Sequence, residues 1–91
     1  MHTPPTPTVE LLEQALALAE RSGITVRQDW LSGGPAGLCE LKGRRWLFVD
    51  LSLPPAEQLE QVLAGLASIK ELAVNDAPPQ IHKLLSLRKA A

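Results

Sequence analysis

Apolar positions recur with a helical period near the start of the chain. Leu12, Ala15, Leu16 and Ala19 follow the i, i+3, i+4, i+7 spacing, and Leu11 and Leu18 widen the stripe. Glu10, Glu13 and Gln14 take the wet side, and the two glutamates suit the positive end of the helix dipole. A first helix is predicted to about Ser22, with Thr6 before Pro7, or Thr8, as its N-cap. Gly23 is placed to end it in a left-handed conformation. The period then changes to two. Ile24, Val26 and Gln28 fall on one side, and Thr25, Arg27 and Asp29 on the other, the pattern of a half-buried strand. Trp30 to Ala36 holds Ser32, Gly33, Gly34 and Pro35 and reads as a loop.

Strands are predicted over 37–42 and 45–51, turning at Lys42-Gly43-Arg44. With Lys42-Gly43 as a two-residue type I′ loop, Glu40 lies opposite Arg45 and Leu38 opposite Leu47. With Gly43-Arg44 as the loop, Lys42 would face Arg45, two like charges, so the first register is preferred. Both registers put Cys39, Leu41, Trp46 and Phe48 on one face and Leu38, Glu40, Leu47, Val49 and Leu51 on the other. Pro54-Pro55 opens a second long helix striped by Leu59, Val62, Leu63, Leu66 and Ile69. Gly65 costs that helix about 1 kcal/mol against alanine, which suggests close approach to the sheet. Residues 70–76 are irregular, with a brief extended stretch at Leu72-Ala73-Val74. Pro78-Pro79 starts a final helix, Gln80 to about Arg88, with Ile81, Leu84 and Leu85 inward. The predicted fold is α+β, in the order α-β-β-β-α-α: a small three-stranded antiparallel sheet covered on one face by the two long helices. Residues 1–7, with Pro4, Pro5 and Pro7, are expected to be a flexible tail, and 8–91 one domain.

Composition narrows the classes. The chain has 91 residues, too few for two ordinary domains. Nine Lys+Arg against ten Asp+Glu leave a net charge of −1, which argues against a general nucleic-acid binder. One cysteine, Cys39, excludes an internal disulfide scaffold and fits a reducing, cytoplasmic setting. No apolar run approaches the roughly 20 residues that span a bilayer, so no membrane partner is expected. The stretch Met1-His2-Thr3-Pro4-Pro5 does not read as a signal peptide.

Candidate chemistry is sparse. Zinc needs three or four ligands, and His2, His82 and Cys39 offer neither Cys-x-x-Cys nor His-x-x-x-His. No metal or cofactor is expected. Cys39, mid-strand between Leu38 and Glu40, reads as a small hydrophobe rather than a nucleophile. Ser32 does not sit in a G-x-S-x-G elbow. The glycine-rich stretch 32–37 precedes a strand, whereas a phosphate cradle needs a helix N-terminus. Its glycines serve a turn, or else Trp30, Gly33 and Gly34 form a ligand-binding loop. Lys42, Arg44 and Arg45 cluster at the hairpin tip, an ordinary way to keep a hairpin soluble. A nucleic-acid reader would add positive charge, as a stripe through Arg27, Arg44 and Arg45, or aromatics on an exposed sheet face. Of the carboxylates Asp29, Glu40 and Asp50, Glu40 pairs with Arg45 and Asp50 caps the turn into Ser52.

The succession Gly23-Ile24-Thr25-Val26-Arg27, Gly33-Gly34 and Gly37 through Asp50, then a leucine-striped helix and a Pro-Pro segment, resembles a group of small uncharacterised bacterial proteins of about this length. More distantly, it resembles the helix–sheet–helix front half of IrrE-type zinc metallopeptidases. The resemblance implies a fold rather than an activity. Where those enzymes carry H-E-x-x-H, this chain reads Glu60-Gln61-Val62-Leu63-Ala64-Gly65-Leu66-Ala67, with no histidine. Both ligands and the general base are missing together.

These readings favour a non-catalytic interaction or self-associating module over an enzymatic or small-molecule-binding domain built on the Trp30–Gly37 loop; nucleic acid is third. Helices on one side would leave Leu38, Leu47, Val49 and Leu51 wet on the other. A homodimer through those four residues, or contact with another protein, covers them, unless the segment from Leu72 to Leu87 folds back over that face. Protein purified without a histidine tag is expected to hold no stoichiometric zinc. Elemental analysis near one metal per chain, lost on changing His82, would contradict the ligand counting.

Overall fold

A computed structural model describes residues 7–69, 72 and 77–90. Its elements are α1 (Thr8–Arg21), β1 (Thr25–Asp29), β2 (Gly37–Leu41), β3 (Arg44–Asp50), α2 (Pro55–Ala67) and α3 (Pro79–Ala90). The fold is α+β. The expected tail, apart from Pro7, and the extended reading of Ala73 and Val74 lie outside the described residues. Pro7, not a threonine, occupies the N-cap of α1, and no side chain caps that end.

The sheet is mixed, not antiparallel. Its spatial order is β1-β3-β2, with β3 parallel to β1 and antiparallel to β2. β1 and β2 therefore run in opposite senses but are separated by one strand. A tight turn would have forced them to pair directly. Residues 30–36 instead span two inter-strand spacings, about 9–10 Å, and leave a slot that β3 fills. The β2–β3 hairpin has the preferred register, with Glu40 opposite Arg45 and Leu38 opposite Leu47. Lys42 (φ 53°) and Gly43 (φ 76°) supply the two left-handed positions of a type I′ turn.

The second correction concerns which face is covered. Leu47 and Val49 are fully buried, Val26 and Leu38 pack against the same core, and α1 and α2 lie over them. Leu47 and Val49 are therefore core residues beneath α2, not the wet surface expected of an interface, and half-buried Leu38 and Leu51 flank them. The open face is the opposite one, carrying Cys39, Leu41, Trp46 and Phe48. The reason lies in β1. Its parallel register sets Val26 beside Leu47, and Thr25 and Arg27 beside Trp46 and Phe48. The apolar side of β1 joins the leucine face, and its charged side must stay wet. α3 does not lie on the open face either: it buries Ile81 and Leu85 against α2 and α1.

Gly65 makes the close packing of α2 possible. A Cβ there would lie 2.8 Å from Leu47 Cδ1 and 3.5 Å from Leu38 Cβ. Leu47 is enclosed and has nowhere to retreat. Gly65→Ala is expected to destabilise the protein by about 1–2 kcal/mol despite alanine's better helix propensity, because overpacking outweighs it. Urea unfolding checks this; a gain in stability would show that the α2–sheet contact is loose.

Candidate functional site

Two surfaces carry the chemistry that the fold assembles. The first is the loop after β1. Asp50, at the end of the central strand, is 1% exposed. Its carboxylate accepts hydrogen bonds from the backbone N–H of Leu31 (3.0 Å), Gly33 (2.9 Å) and Ser52 (2.9 Å) and from the Ser52 hydroxyl (2.6 Å). The Asp50 N–H in turn donates to Gln61 Oε1 on α2 at 3.0 Å. The Ser52 hydroxyl most of all, against the opposing effect of burial and together with the N–H groups of Gly33, Ser52 and Leu31, holds the carboxyl well below the usual carboxylate range. Ser52 was legible in the sequence as the partner of an Asp50 cap. The loop and Gln61 were not, since they depend on the slot between β1 and β2.

This arrangement decides what the glycine-rich stretch can do. The N–H groups of Leu31 and Gly33 point inward to Asp50, and that of Gly34 donates to the Leu31 carbonyl at 2.8 Å. Ser32 (φ 50°) and Gly33 (φ 79°) form the centre of that turn. A Cβ on Gly34 would lie 2.9 Å from the Leu31 oxygen. The N–H groups of Leu31, Gly33 and Gly34 are thus already used inside the protein. Trp30 stands apart, 69% exposed, with its backbone N–H donating to Asp29 Oδ1.

The second surface is the open face of the sheet. The register aligns Arg44, Trp46 and Phe48 along β3, with Leu41 and Cys39 beside them on β2 and Thr25 and Arg27 on β1. Trp46 and Phe48 stack with centroids 6.0 Å apart and rings inclined by 13°. Leu41 is 53% exposed, unusual for a leucine within a strand. A concavity of about 440 Å³ opens beside Trp46, lined by Leu41, Lys42 and Arg44. Arg27 lies 3.9 Å from Asp29, and both are well exposed. Lys42 and Arg44 make no ion pair among the described residues.

Cys39 is half-buried opposite Trp46. Among the described residues, no three His, Cys, Asp or Glu side chains gather where they could hold a metal ion. His2 lies outside the described residues, and His82 is exposed on α3. No helix among the described residues is long and apolar enough to cross a membrane. The chain matches no known family, curated protein or solved structure.

Because its pKa is lowered on folding, Asp50 contributes stability that is complete above the unfolded value of about 3.9 and is lost as pH falls below it. Asp50→Asn is expected to lower stability at pH 7 and to flatten the decline between about pH 5 and pH 2. Urea midpoints measured across that range check this; parallel pH profiles for the two proteins would show that the carboxylate does not organise the loop.

Proposed function

We propose that this protein is a non-catalytic binding module whose working surface is the open face of the sheet. One observation carries the reading: Trp46 and Phe48, two of the chain's three aromatic residues, lie half-buried against each other on the sheet face that none of the three helices covers. Elsewhere the core is built from leucine, valine, isoleucine and alanine. Aromatic side chains bring the largest apolar area to a contact and are enriched at binding surfaces. Here they are spent on the open face, with Leu41 exposed beside them.

A structural role for the aromatic pair and a binding role predict different energetics. Phe48→Ser and Trp46→Ser are expected to cost about 1 kcal/mol each, as for substitutions outside a close-packed core. Leu47→Ala, one residue away on the covered face, should cost about 2–5 kcal/mol. If urea denaturation gives the aromatic substitutions the same cost as Leu47→Ala, the pair belongs to the structural core and the proposed surface fails.

A further inference from the structure

We infer that the open face binds single-stranded nucleic acid, laid along β3 with its phosphates on Arg27, Arg44 and Lys42 and a base against Trp46. The inference rests on the open face being a binding surface, and charge selects the occupant. Across that face and the adjoining turn stand three cations, Arg27, Lys42 and Arg44, against one exposed carboxylate, Asp29, already beside Arg27. The whole chain carries −1, so the remaining surface is acidic and this face is a local cationic field. A second copy packed face to face would bring six cations together with only two exposed carboxylates, each already beside its own Arg27. The face is also small. Three strands of five to seven residues cover roughly 14 by 20 Å, well short of the ~800 Å² per partner of a stable protein interface. A thin polyanion needs no such area.

Geometry points the same way. Same-face positions on a strand repeat every ~6.6 Å, comparable with the nucleotide repeat of an extended single strand. Arg44, Trp46 and Phe48 thus set one cation and then two rings along one line. Phe48 occupies one side of Trp46, and the 440 Å³ concavity lies beside it with Lys42 and Arg44 on its wall. A base stacking there would extend the existing aromatic stack, while its phosphate meets two cations that have no internal ion-pair partner among the described residues. No pattern of buried donors and acceptors lines the face, so binding is sequence-tolerant and sensitive to salt.

Anisotropy of fluorescein-labelled oligo(dT) of twelve nucleotides tests the assignment on the full chain. Saturable binding is expected, with log K falling against log salt with a slope of about −2, for three phosphate contacts on a single strand. Arg44→Gln should reduce that slope by about 0.7. Trp46→Leu should weaken binding roughly 5- to 150-fold while leaving the slope unchanged. No saturable binding at low salt overturns the proposal. So does equal binding of polyglutamate that is indifferent to Trp46→Leu, or binding confined to phosphatidylserine vesicles. A dimer in sedimentation equilibrium that Phe48→Ser dissociates, with no oligonucleotide bound, overturns it in favour of a second copy and leaves the binding-surface reading standing. If the aromatic substitutions prove as costly to stability as Leu47→Ala, both readings fail together.

Discussion

The fold depends on what happens at the end of its central strand. β3 occupies a slot between two strands that never touch each other, and only the loop crossing above it joins them. A loop over a strand end presents inward N–H groups with no ladder partner, and burying such groups unpaired is costly. The Asp50 carboxylate meets that need from below, accepting from two N–H groups in the first half of the loop and from the turn into α2. Its own backbone N–H is taken by Gln61, so the same residue also fixes α2 against the strand end. The parallel ladder continues one step further, with the Leu51 N–H donating to the Asp29 carbonyl at 2.8 Å. Strand order, loop shape and helix placement thus share one anchor.

From that anchor the two faces of the sheet follow. With α2 fixed at its middle by Gln61, Gly65 settles onto Leu38 and Leu47, and aliphatic side chains fill the space beneath it. The broad rings of Trp46 and Phe48 go to the other side, where Arg27 on β1 already requires contact with water. The open face is therefore the remainder of a packing problem solved on the covered face. A remainder can be polar and inert; this one holds two of the chain's three aromatic side chains.

Much of this was legible in local sequence. The helical stripes, the hairpin register, the Lys42-Gly43 turn and the close approach at Gly65 each depend on residues near one another in the chain. The two faces of the hairpin were legible as well. Which face the helices cover was not, because β3 is apolar on both sides and periodicity alone cannot rank them. The deciding signal is the alternation of β1, apolar at Ile24 and Val26 and charged at Arg27 and Asp29, but it speaks only once Val26 is known to lie beside Leu47. Parallel pairing hid that register, since no turn residue announces it. The aromatics were likewise visible, and their place on the open face was not.

The split between β1 and β2 also sets an order of assembly. The β2–β3 hairpin closes across a two-residue turn, a local event on the scale of microseconds. β1 can pair only with β3, and that pairing requires closing the whole stretch from residue 30 to residue 43. Loop-closure entropy rises with that length, so the hairpin is favoured as the template onto which the N-terminal helix and strand dock. Until they dock, β3 is an edge strand with an unpaired row of N–H and C=O groups, open to a foreign strand as readily as to its own. Arg27 and Asp29, flanking the incoming strand's wet face, and the short reach of β1 keep the finished edge from offering the same invitation.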